Sequence, residues 1–211
     1  MMVGMTVKTA AQAPKKLTKK GEATRARILE HAAQLIHADG VAATHNEHLR
    51  RVAGVSGSQL NHYFPTKESL VLAVIEWQAQ RVLQFYGDEQ FAGFDNIEAL
   101  RAWVDYYVAH EAAYRDGCTL GSLASQIIKS DLDVHDGLAR AFDGWRDIFR
   151  DGLQRMQRRG NLSKDANPAQ LADLLLSAFQ GGMLLSQVNR DVRPLKNALD
   201  AAIDHVQTFA K

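Results

Sequence analysis

Along most of the chain, apolar residues recur at intervals of three and four, the spacing that lines one face of a helix. Ile28, Leu29, Ala32, Ala33, Leu35 and Ile36 make the first such stripe, and Gly40 stands where a helix ends on a left-handed residue. Two short helices are predicted next, over 46–53 and about 57–63, separated by Gly54-Val55-Ser56. Thr66 and Glu68 open a longer helix whose apolar face runs through Leu70, Val71, Val74, Ile75, Val82 and Phe85. Gly87 to Gly93 breaks the pattern. Asp95-Asn96-Ile97-Glu98 is a capping signal for a helix to about Arg115, and Cys118 to about Lys129 forms another. Leu138, Phe142, Trp145, Phe149, Leu153 and Met156 mark a long helix ending near Gly160. Asn167-Pro168 starts the next, which reaches about Asn189, and Pro194 opens the last. No segment sustains the alternation of a strand. The expectation is an all-α fold of about nine helices. A three-helix unit (21–67) precedes a larger bundle (68–211), and residues 1–20 form a flexible basic arm.

The two short helices carry the first chemical signal. Helices of under three turns are unstable alone, so these must pack on each other and on the first helix, for which Leu49, Val52, Ala53, Val55 and Leu60 supply an apolar wedge. Gly54 allows the sharp turn and Ser56 can cap the second helix. That helix then shows a short polar face of Gly57, Ser58, Gln59, Asn61 and His62, able to enter a major groove and offer donors and acceptors to base edges. A generic helical hairpin of a bundle is the plainer reading.

Charge adds to the first reading. The chain's formal charge is +1, but residues 1–67 hold ten Lys/Arg against four acids, leaving the remainder net acidic. A basic front suits a polyanion, although a lysine-rich tail alone would give part of the same asymmetry. The single cysteine, Cys118, allows no intrachain disulfide and fits a reducing cytoplasm. No secretory signal is expected, and no run of 18 apolar residues predicts a membrane span.

In its N-terminal third the chain resembles the TetR family of bacterial repressors. The resemblance rests on Gly40, Thr44, Leu49, Ala53-Gly54-Val55-Ser56, Leu60, Tyr63-Phe64, Pro65 and Lys67-Glu68, and covers about residues 24–76. The chain departs from the family pattern at Arg50, Ser58 and Asn61. The resemblance implies a two-domain helical homodimer that binds double-stranded operator DNA and is released by a small molecule. It assigns Thr44 and His45 to phosphate, Ser56, Ser58, Gln59, Asn61 and His62 to the groove, and Tyr63 and Lys67 to the backbone.

Three further expectations concern the second half. Aromatic and polar residues there imply an effector cavity lined by Trp103, Tyr107, Cys118, Leu123, Ile127, Trp145, Phe149, Gln180, Met183 and Gln187. With no arginine cluster among them, a neutral, aromatic or lipophilic effector is expected. The segment Gly117 to Leu123 also resembles one in drug- and flavonoid-responsive members of the family. Cys118 supports an alternative, a thiol switch answering electrophiles or oxidants. Near-heptad stripes through Leu171, Leu175, Ala178, Phe179, Gly182 and Leu185, and through Leu199, Ile203 and Val206, suit a four-helix dimer seam. A two-fold operator would follow, with half-sites about a helical turn apart, ~34 Å, or a multiple of it.

Other classes have less support. His45 and His48 flank Glu47 at a metal-like spacing without a third ligand nearby, so no metal or cofactor is expected. No glycine-rich phosphate loop, nucleophile elbow or paired-carboxylate motif is present, which argues against an enzyme. An architectural protein that binds all duplexes alike stays open as a third class.

Overall fold

The computed structural model describes residues 17–87 and 89–211. The basic arm therefore lies almost wholly outside the described residues. Among them are ten α-helices and one short 3-10 segment: α1 (Lys19–Asp39), α2 (Asn46–Ala53), α3 (Gly57–Tyr63), α4 (Lys67–Gly87), the 3-10 turn (Glu89–Phe94), α5 (Ile97–Ala109), α6 (Glu111–Arg115), α7 (Thr119–Ile127), α8 (His135–Arg158), α9 (Pro168–Asn189) and α10 (Arg193–Gln207). The all-α expectation holds. The single helix expected up to Arg115 is two, because the chain bends at His110 between α5 and α6.

The helix ends sit where the sequence placed their signals. The exception is α1: Thr18 caps it by accepting from the Gly21 amide at 3.2 Å, so Lys19 and Lys20, expected in the flexible arm, are helical. Asn96 caps α5 through Ala99, at 2.7 Å, and Asn167 caps α9 just before Pro168. At the start of α4, Thr66 and Ser69 cap each other reciprocally, each side-chain oxygen taking the other's amide at 3.1 Å.

Behind α4 the bundle closes on an aromatic core. Trp103 stacks on Phe179 (centroids 5.2 Å apart) and Tyr86 on Trp145 (5.7 Å), with Phe91, Phe94 and Phe149 filling between them. Offset and edge-on ring pairs of this kind contribute beyond their buried area. Two glycines permit close backbone approach. A Cβ on Gly152 of α8 would fall 2.5 Å from the carbonyl oxygens of Gly93 and Phe94, and one on Gly182 of α9 would fall 2.8 Å from Cα of Leu195 in α10.

Helix α9 has two apolar faces. Leu171, Leu175, Phe179, Gly182 and Ser186 are buried against α8 and α10, and the Ser186 hydroxyl accepts from the Leu195 amide at 3.0 Å. Leu174, Ser177, Gly181, Leu184 and Val188 repeat every three and four residues on the other side and are exposed. Leu184, Leu185 and Val188 are 61%, 53% and 71% exposed, so none of the described residues covers them. Two apolar faces together make α9 long and apolar enough, by length and composition, to cross a membrane, with a mean hydropathy of 1.2. Polar residues interrupt both faces, so α9 contains no unbroken run of 18 apolar residues.

Candidate functional site

Helices α2 and α3 pack on α1 through Leu49, Ala53, Val55 and Leu60, all buried against Ile28, Leu29, Ala32 and Ile36. Gly54 makes the turn between them in the left-handed region (φ 60°), where other residues are strained. Arg27 of α1 donates from Nε to the Ala53 carbonyl at 2.9 Å and so ties down the end of α2. Ser56 opens α3 with a full capping box: its Oγ accepts from the Gln59 amide at 3.2 Å, and Gln59 Oε1 accepts from the Ser56 amide at 2.9 Å.

The predicted groove residues separate into free and committed groups. Asn61 and His62 are exposed, as is His45, predicted for phosphate, at the N-terminus of α2 without a side-chain cap; Ser58 is exposed too, but its hydroxyl shares a hydrogen bond with Ser56 Oγ at 2.9 Å. Ser56 and Gln59 are exposed but their oxygens serve the capping box, which leaves the Gln59 amide nitrogen as its outward donor. Tyr63 is half-buried, its ring edge-on to His62 at 5.1 Å.

Two assignments need correction. Thr44 is buried and its hydroxyl donates to the Gly40 carbonyl at 2.8 Å, so it does not face a phosphate. Lys67 is half-buried and its ammonium donates to the Thr44 carbonyl, while burial lowers its pKa. Both side chains brace the loop before α2 instead of reaching outward. That internal bonding joins segments 23 residues apart and leaves no mark in the local motif.

Arg50 and Arg51, missing from the predicted set, are exposed at the end of α2. The Arg50 guanidinium lies over Gly57, where a Cβ would meet Nη1 at 3.5 Å. That is ordinary van der Waals distance, so the arginine packs over the first turn of α3 at the junction of the two short helices. Neither Arg50 nor Arg51 forms an ion pair among the described residues, and Arg50 lies beside α3, as phosphate contact requires.

On the far side of α1 lies a cavity of about 770 Å³, within the range of drug-sized ligand pockets. Of the ten predicted lining residues, Tyr107, Cys118, Trp145 and Met183 line it. Trp103, Leu123, Ile127 and Phe149 are instead buried in the core behind the wall. Gln180 donates to Cys118 Sγ at 3.6 Å and Gln187 to the Arg115 carbonyl at 3.4 Å, outside the lining. Helical spacing marks which residues are inside but does not separate wall from core. The rest of the lining comes mainly from α1 (Glu30, Ala33, Gln34, His37) and α4 (Trp77, Gln78, Arg81, Val82, Phe85, Tyr86). Its signal in the sequence is the Trp77, Arg81, Phe85 row at i, i+4, i+8.

The inner wall of the cavity is aromatic and uncharged, and the charged lining residues Glu30 and Arg81 are exposed. Tyr86 and Tyr107 share a hydroxyl contact at 3.1 Å, and burial pushes both phenols well above their ordinary pKa, so they stay neutral. Two buried polar atoms of lining residues, Gln78 Oε1 and Trp145 Nε1, have no hydrogen-bond partner among the described residues. Arg81 stands at the mouth with its guanidinium 4.8 Å from the Trp77 ring centre.

Cys118 does not support the thiol-switch reading. Its sulfur accepts from the Gly121 amide at 3.2 Å as the cap of α7, and burial pushes the thiol pKa up. A reactive cysteine needs the opposite shift. Among the described residues no group of three metal-ligating side chains exists, so the His45/His48 pair acquires no third ligand.

The predicted dimer residues also shift. Leu171, Leu175, Phe179, Gly182, Leu199, Ile203 and Val206 are buried within the chain by the contact of α9 with α10, and Ala178 is half-buried. Only Leu185 of that set is exposed. The sequence stripe was one of two on α9, and it faces the core.

Comparison with known proteins agrees with this geometry. Residues 28–74 match the family described as bacterial regulatory proteins, tetR family, and residues 96–202 match the tetracyclin repressor-like C-terminal domain. The uncharacterized HTH-type transcriptional regulator YxaF of Bacillus subtilis is 25% identical over 182 residues, covering 85% of this chain and 92% of YxaF. The HTH-type transcriptional repressor DhaR of Mycobacterium sp. is 23% identical over 186 residues, covering 85% and 90%. In structure, a TetR transcriptional regulator from Chloroflexus aurantiacus superposes with a TM-score of 0.74 at 22% identity, covering 92% and 98% of the two chains. The reduced form of Escherichia coli NemR gives 0.71 at 21% identity, covering 89% and 97%.

Proposed function

The chain belongs to the TetR family of regulators, and from that premise we propose a homodimeric repressor whose α3 reads a two-fold operator and whose 770 Å³ cavity takes a neutral aromatic effector. It is a DNA-binding transcriptional regulator under effector control, not an enzyme. The observation that carries the finer reading is the placement of α1. One side of that helix holds α2 and α3, and the other forms a wall of the cavity.

Ser58, Asn61, His62 and the Gln59 amide nitrogen face the groove, while His45, Arg50, Arg51 and Tyr63 meet the backbone. The aromatic lining without a buried charge supports a neutral effector, and the Gly117–Leu123 resemblance supports a place in the drug- and flavonoid-responsive branch. The open heptad face of α9, Leu174, Ser177, Gly181, Leu184 and Val188, supports the dimer seam. The division at Lys67 and action in the cytoplasm complete the proposal.

Selection from randomised duplexes followed by titration tests it. The expected result is a two-fold site preferred over random DNA by about 10³-fold or more. The affinity should fall with roughly 0.9 log units per log unit of salt for each phosphate contact. Equal affinity for all duplexes, or a flat salt response, would falsify the reading. Leu184→Glu with Val188→Glu should leave a folded monomer that no longer binds the two-fold site.

A further inference from the structure

We propose that the effector acts by direct contact with the DNA-reading unit, wedged between α1 and α4, with no relay through the bundle needed. The inference rests on the effector reading above and adds where the occupant presses. Glu30, Gln34 and His37 lie one turn apart on α1, and Trp77, Arg81 and Phe85 lie one turn apart on α4. Both rows line the same cavity, so its occupant lies between the two helices along their facing turns. Helix α1 is no passive wall. Its opposite side carries the buried contacts to α2 and α3, and its Arg27 holds the Ala53 carbonyl at the turn into α3.

The chemistry of the two ends fixes how such a ligand lies. Toward the core the walls are aromatic and neutral, with Tyr86 and Trp145 stacked behind Phe85. Toward the mouth they are polar and charged, with Glu30, Gln34 and His37 of α1 and Arg81 of α4 exposed there. A neutral aromatic body with one hydrogen-bonding end places its rings against α4 and its polar end on Gln34 and His37. Filling the gap changes the spacing of α1 and α4, and with it the presentation of α3 in each half of a dimer. Two half-sites at a fixed separation tolerate little such change.

The test uses the full-length protein with 4-hydroxybenzophenone and 2-naphthol as probes. Tryptophan quenching reports occupancy, hydrogen exchange of peptides from α1 and α4 reports contact, and operator release reports function. The expected result is slowed exchange over residues 28–37 as well as 77–86. The double variant Gln34→Ala, His37→Ala should bind the probes at least fivefold more weakly while keeping its circular dichroism and its operator affinity without probe. Binding with slowed exchange confined to α4 and the bundle, together with variant affinity within twofold of wild type, overturns the wedge and leaves the effector reading standing. Failure of both probes to quench tryptophan or release operator overturns the aromatic-effector reading and the wedge with it.

Discussion

Substituting Gly182 by alanine separates two opposing effects whose sizes follow from the geometry. A mid-helix glycine costs about 0.8–1.0 kcal/mol relative to alanine, so the change alone would stabilise α9. Here the added Cβ falls 2.8 Å from Leu195 Cα, 3.2 Å from Leu195 Cδ1 and 3.3 Å from Ala198 Cβ. Carbon atoms prefer roughly 3.5–4.0 Å, and a backbone atom cannot rotate away, so α10 must move by about an ångström. Overpacking of this kind costs about 1–3 kcal/mol, and a backbone collision belongs in the upper part of that range. The net expectation is about 1–2 kcal/mol of destabilisation. Gly144 in α8 provides the matched control, because a Cβ there meets nothing within 4 Å. Gly144→Ala should therefore gain close to the full propensity. In a chain of this length about 1 kcal/mol moves Tm by roughly 2–4 °C, so the two variants should move in opposite directions when melted at one protein concentration. If Gly182→Ala raises Tm as much as Gly144→Ala, the close approach of α9 and α10 is not what fixes that glycine.

Ser56→Ala removes the capping oxygen of α3 and should destabilise it by about 1 kcal/mol, weakening operator binding severalfold. Ser56→Thr restores the oxygen and should restore the affinity; no recovery would mean that Ser56 acts on DNA directly. Gln126 of α7 accepts from the Val41 amide at 2.6 Å, so Gln126→Ala leaves that amide unpaired at a cost of about 1–3 kcal/mol. Faster exchange of the Val41 amide and a lower Tm are expected, and unchanged exchange would remove this link between bundle and loop. For Cys118, a raised pKa keeps the thiol protonated to higher pH than an ordinary cysteine. Alkylation by iodoacetamide should be slower than that of N-acetylcysteine at pH 8 and should rise only at higher pH; equal rates at pH 7.5 would revive the thiol switch.

Much of the fold is legible in the sequence because its signals are local. Caps at Asn96, Asn167 and Ser56, the Gly54 turn, and three-four spacing each depend on a few neighbouring residues. What escaped is set by distant ones. Whether Thr44 and Lys67 face DNA depends on their bonding to each other's segment 23 residues apart. Which stripe of α9 faces the core depends on where α10 packs, and both stripes are apolar. The cavity was sought among aromatic residues of the bundle, but half its wall belongs to α1 and α4, whose apolar spacing reads as ordinary core. The bend at His110 has no glycine or proline to announce it.

Helix α4 belongs to both halves of the molecule. Its first turns bury Leu70, Val71 and Val74 in the same core as α1, and its last turns supply Tyr86 to the aromatic cluster. A graft meant to retarget the repressor to another operator therefore has no clean seam at residue 67. A foreign reading head joined there would meet an α4 shaped for a different α1, and would lose the Gln126 grip on Val41 as well. Retargeting by exchange of Ser58, Asn61 and His62 alone leaves all of these joints in place.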